Sequence, residues 1–221
     1  MTLRSRCLML AAALGLSLAL APAAAAQDPR LEARVDGRTR AQLAPILDSA
    51  RRAGLPLEPL IDKALEGDSK GAPRQRIVAA VRALAGTLGV ARDALGRGAS
   101  EPEIVAAADA IEAGIPPRQV EVLRHLLLSR PITVPLAVLA DLVARGVPPD
   151  TAAYAVLNLA RVQAADAQFV GLRIDVERDI GSGIAPATAI AVRSEASVRD
   201  VETRRAESRS AVPGQETPPT P

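Results

Sequence analysis

Apolar residues recur along this chain every three or four positions, and glycine and proline cut the runs at short intervals. The fullest run lies between Arg74 and Leu95, where Ile77, Val81, Leu84, Leu88, Ala91 and Leu95 are spaced 4, 3, 4, 3 and 4. That spacing is the seam of an amphipathic helix. Arg74, Gln75, Arg82, Arg92 and Asp93 fall off the seam, as a solvated face does. Gly86 and Gly89 lie inside the run, each costing about 1 kcal/mol of helix propensity against alanine. Close approach of a neighbouring helix is the expected reason for them.

The same period predicts helices over 39–53, 56–66, 104–113, 118–129, 136–145, 149–163 and 166–181, and from 186 towards 205. Pro45 interrupts the first of these and is a candidate start for it. Ser100 with Glu103 has the spacing of a capping box, and Asp166 is placed to cap the helix it opens. No stretch alternates with the period of two that marks a half-buried strand. The expected fold is all-α: an irregular array or bundle of about eight to nine helices, with a solenoid as the more regular form of it.

Between helices one corner recurs: glycine, an apolar residue, then proline. It stands at Gly54-Leu55-Pro56, Gly71-Ala72-Pro73, Gly114-Ile115-Pro116 and Gly146-Val147-Pro148, and more loosely at Gly183-Ile184-Ala185-Pro186. Glycine past a helix end takes the left-handed conformation without a Cβ penalty, and proline suits the first turn of the next helix. Gly114 and Gly146 are 32 residues apart, and Gly146 and Gly183 are 37 apart. Such units fall in the size range of helical solenoids, although the aromatic positions of tetratricopeptide repeats are missing and the 74–95 helix interrupts the rhythm.

The first 26 residues read differently. Arg4 and Arg6 precede an unbroken apolar run, Leu8 to Leu20, and small residues follow to Ala26. This is the layout of a Sec-type signal peptide cut between Ala26 and Gln27, and it predicts a periplasmic or secreted protein without a stable membrane anchor after cleavage. The run is short of the ~20 residues that span a bilayer. Residues 27–38 read as an extended lead-in, 39–205 as the helical domain with a candidate hinge at 96–100, and 206–221 as a disordered tail rich in Pro, Ser, Thr and Glu.

Composition changes this picture in two ways. Without Arg4 and Arg6, the 27 basic residues fall level with the 25 acidic ones, so no basic field for nucleic acid is expected. Cys7 leaves with the signal peptide, which removes the prospect of a disulfide, a thiolate nucleophile or a cysteine-bound metal.

Candidate chemistry is sparse. His125, the one histidine, has Glu121 four residues before it, the spacing of a base and its orienting carboxylate. An ordinary exposed i,i+4 pair has the same spacing. Asp175, Glu177 and Asp179 form the densest acidic cluster, and paired carboxylates can serve as acid and base. On a helix, however, Asp175 and Asp179 share a face that Glu177 leaves, and Arg173 and Arg178 make a solvated, ion-paired face the simpler reading. Gly181-Ser182-Gly183 and the stretch from Gly67 to Gly71 lack the strand and lysine of a nucleotide loop. Tyr154 sits between alanines and reads as a core or half-buried residue, with a ligand pocket as the sharper alternative.

These observations predict no cofactor, no metal and no catalytic residue. They point to an exported, non-enzymatic helical scaffold or protein-binding module whose partner is a protein or peptide segment. The alternatives are a carrier of a small apolar or lipid ligand, and a hydrolase using His125 or the Asp175/Asp179 cluster.

Overall fold

The computed structural model describes residues 28–210, and the signal-peptide reading lies outside them. The described residues form ten helices and no strand. They are α1 (Pro29–Arg34), α2 (Gly37–Arg52), α3 (Glu58–Ser69), α4 (Arg74–Leu95), α5 (Glu101–Glu112), α6 (Pro117–Leu126), α7 (Thr133–Ala144), α8 (Pro149–Arg161), α9 (Asp166–Gly181) and α10 (Pro186–Ser210). The all-α expectation holds, and α4 and α9 occupy the expected residues.

Corrections fall mainly at the ends. The extended lead-in contains α1, because Asp28 caps it by accepting from the Arg30 N–H at 2.8 Å. Asp36 caps α2 in the same way, taking the Arg38 and Thr39 N–H groups at 3.0 and 3.1 Å. With that start fixed and Leu43 and Ala50 buried, α2 runs through Pro45 despite the hydrogen bond proline forfeits. The expected polar turn after α3 starts late, since α3 continues through Gly67 to Ser69. Asp166 is the first residue of α9, and Ala165 holds the cap position. Residues 206–210, read as tail, belong to α10; the rest of the tail lies outside the described residues.

The corners are Schellman motifs. At Gly146, φ is 88°, its N–H donates to the Val143 carbonyl at 2.9 Å, and the Val147 N–H donates to the Leu142 carbonyl at 3.1 Å. Leu142 and Val147 are both fully buried, as the motif requires. Gly54, Gly71, Gly114 and Gly183 repeat the pair of bonds. Proline stands one position earlier than expected in three of them: Pro73, Pro116 and Pro148 are N-caps, with φ between −57° and −61°. A sixth corner was invisible to a search for glycine. Gln163 takes φ 54°, and the Ala164 N–H reaches the Leu159 carbonyl at 3.0 Å.

Tight corners keep contacts local. Every substantial helix pairing joins helices one or two apart along the chain. The even-numbered helices meet in series from α2 to α10, while α5, α7 and α9 make a second row against them. Alanine fills the space between rows: Ala107, Ala110, Ala152, Ala153 and Ala160 are fully buried and let the helices come close. Phe169 is the large anchor of the α9 end, with the Arg130 guanidinium 5.8 Å from its ring centroid. Gly86 and Gly89 do not serve close packing, since a Cβ on either would meet no atom within 4 Å.

Candidate functional site

The residues singled out for chemistry do not converge. His125 is exposed at the end of α6, and no described side chain bonds to it, Glu121 included. The arrangement of base and orienting carboxylate is not made there. The acidic cluster separates into ion pairs with different partners. Asp175 takes Arg178 at 2.6 Å, and Glu177 takes Arg145, the C-cap of α7, at 2.8 Å and Arg173 at 3.4 Å. Asp179 departs from the solvated reading: it is buried, and its two oxygens accept Nε and Nη2 of Arg193 at 2.7 Å each. This fork joins α9 to α10, and the Arg193 hydrogen bonds hold the Asp179 carboxyl below its ordinary range. The Gly181-Ser182-Gly183 turn has its N–H groups committed to the α9 carbonyls, so it offers none to an anion.

Sequence reasoning found the Ser100–Glu103 capping box and missed what else Glu103 does. Its side chain accepts from the Ser100 N–H and hydroxyl at 3.0 and 2.8 Å, from Arg124 at 2.8 Å and from the Ile132 N–H at 3.0 Å. Arg124 continues to the carbonyls of Leu127 and Arg130. Burial alone would raise the Glu103 carboxyl; the Ser100 and Ile132 N–H groups, the Ser100 hydroxyl and the Arg124 charge outweigh it and hold the group below its ordinary value. This is a structural joint between α5, α6 and the start of α7. Nothing local in the sequence announces it, because its partners lie 21 and 29 residues away.

Tyr154, by contrast, borders an open groove. It is 64 % exposed, against the expectation of a core or half-buried residue. It lies on a stripe of α8 with Thr151, Asn158 and Arg161, and across from it α10 presents Ser194, Glu195, Val198 and Arg199. The two helices leave an open groove of about 490 Å³ between these stripes. The alanines beside Tyr154 explain its position: Ala152, Ala153 and Ala155 are buried, which turns residue 154 outward on the helix. That signal was present in the sequence, as a tyrosine off the apolar stripe of 149–163.

No family model, no curated protein and no solved structure matches this chain.

Proposed function

We propose that this chain is an exported, non-enzymatic helical binding module of the cell envelope or exterior. It is read as an irregular, solenoid-like array whose groove between α8 and α10 accepts an extended protein segment. The observation that carries the reading is the exposed Tyr154 on the edge of that groove. Tyrosine offers a large, rigid contact area with a polar tip, which suits a partially wet contact with backbone or proline. Small and polar side chains along the α10 wall leave room for a chain and supply hydrogen-bonding groups. Contacts between helices one or two apart along the chain favour the solenoid form. Arg161, Glu195 and Arg199 flank the open groove, which favours a peptide over an acyl chain.

The test selects a library of extended peptides against the processed protein and repeats the selection on Tyr154→Ala. Selected peptides are expected to bind the parent and to lose at least about tenfold in affinity on the variant, as for a central aromatic contact. Peptides that bind both chains equally, or an empty selection, sink the reading. Export is tested separately by the mass of the protein recovered outside the cytoplasm, which should begin at Gln27.

A further inference from the structure

A second groove, of about 430 Å³, opens between α1 and α2, at the other end of the helix series from Tyr154. Its floor is apolar: Leu31 of α1 and Leu43 of α2 are buried, and Ala41, Ala44 and Leu47 continue the floor along α2. Arg40 stands at one end of that floor and Arg51 at the other. We propose that this groove binds a free aliphatic monocarboxylate, its head on the Arg40 guanidinium and its chain laid along Ala41, Ala44 and Leu47. The site is separate from the α8–α10 groove and does not rest on the peptide reading.

Arg40 is a cation that the fold holds and does not use. It makes no ion pair and no side-chain hydrogen bond with any described residue, and its Nε is buried without a partner. Buried polar groups are ordinarily bonded, so an arginine left over beside an open groove points to a missing acceptor. The neighbouring carboxylates are engaged elsewhere. Asp28 gives both oxygens to the Arg30 side chain. Asp36, the cap of α2, takes the Arg38 and Thr39 N–H groups with one oxygen and the Thr39 hydroxyl with the other. Glu32 lines the groove without reaching Arg40, and its charge favours a singly over a doubly charged head. Arg51 offers no second free cation, since Asp48 holds it at 2.9 Å.

The approach to Arg40 is open. A Cβ on Gly37 would lie 3.9 Å from Arg40 Nη2, so the guanidinium folds back to the first turn of α2, where glycine puts no side chain in the way. The positive end of the α2 dipole lies at the same turn. A carboxylate matches the guanidinium fork, and from Arg40 to Leu47 its chain meets roughly 10 Å of floor at about 1.5 Å per residue. The groove's size falls within the ~300–1,000 Å³ of small-ligand sites.

Decanoate, decanol and decylamine, each below its micelle-forming concentration, are titrated calorimetrically into the processed protein, Arg40→Gln and Ala44→Phe. The parent is expected to bind decanoate saturably and at least about tenfold more tightly than the alcohol or the amine, the margin of a charge-assisted contact. Arg40→Gln should lose that margin while its decanol affinity stays put. Because Arg40 makes no bond in the fold, helical circular dichroism and urea stability should match the parent, so the loss reports binding alone. Ala44→Phe fills the floor and should weaken decanoate and decanol together. No saturable decanoate binding, equal affinity for decanoate and decanol, or an unchanged decanoate affinity in Arg40→Gln overturns the proposal. A free-acid alanine–leucine tetrapeptide that outbinds decanoate also overturns it and assigns the groove to a protein C-terminus.

Discussion

The corner at Gly146 and the corner between Leu127 and Ile132 reverse the chain by different means. The first closes with backbone alone: two hydrogen bonds across a left-handed glycine, with Val147 folded onto the last turn of α7. The second has no glycine and no such pair of bonds. It is held from outside by side chains, with Glu103 taking the Ile132 N–H and Arg124 taking two carbonyls. Gln163 and Arg130 add bonds to Leu126 and Ala164, tying this corner to the next. A backbone corner is a local device that tolerates change around it. A stitched corner depends on charged groups that are costly to leave unpaired once water is excluded.

The comparison breaks most sharply at Glu103. Glu103→Ala strands the Arg124 guanidinium and the Ile132 N–H in a buried site, and it should cost about 3–5 kcal/mol in urea denaturation. Gly146→Val comes next, at about 2 kcal/mol, because a β-branched residue is forced to positive φ. The Cβ itself has room there, since Pro186 lies at an ordinary contact distance from it. A Gly146→Val loss larger than the Glu103→Ala loss would reverse the ranking of the two devices.

Acid separates them further. Glu103 is held below its ordinary 4.5, so the unfolded chain binds its proton more tightly than the folded chain. Its contribution is therefore present above about pH 4.5 and is lost as pH falls through the lower folded value. Stability profiles should show Gly146→Val running parallel to the parent through this range and Glu103→Gln with a flatter acid limb. The Asp28, Asp36, Glu66 and Asp179 carboxyls, also held low, contribute to the acid loss that remains. The smallest effect is expected at Gln163→Gly, where relief of the left-handed backbone offsets two lost side-chain bonds. Its stability should stay within about 0.5 kcal/mol of the parent.

The two corners also mark how far the sequence could be read. Helix periodicity and glycine corners are properties of a few adjacent residues, so α4, α9 and the Gly114 and Gly146 turns were legible in outline. The Asp28 and Asp36 caps are local as well, but the mixed polarity of 27–38 hides a six-residue helix with one buried leucine. Gln163 defeats a glycine rule, since its amide bonds replace the ease glycine would bring. Asp179 and Glu103 were out of reach for another reason. Their burial depends on which helix arrives opposite, and period alone does not say that. The groove at Tyr154 was half legible: the helical wheel turns the ring outward, but only the docking of α10 supplies the second wall.

The neighbour-only pattern of helix contacts has a kinetic consequence. Because no substantial pairing among the described residues skips more than one helix, their contact order is low, and loop closure costs little before each contact is rewarded. Folding should be fast, should nucleate in the alanine-packed middle, and should spread outward helix by helix. Opening should retrace that order. Amide exchange should be quickest in α1 and in the exposed last turns of α10, and slowest in α7 and α8, so that the protein frays from its ends before the middle opens.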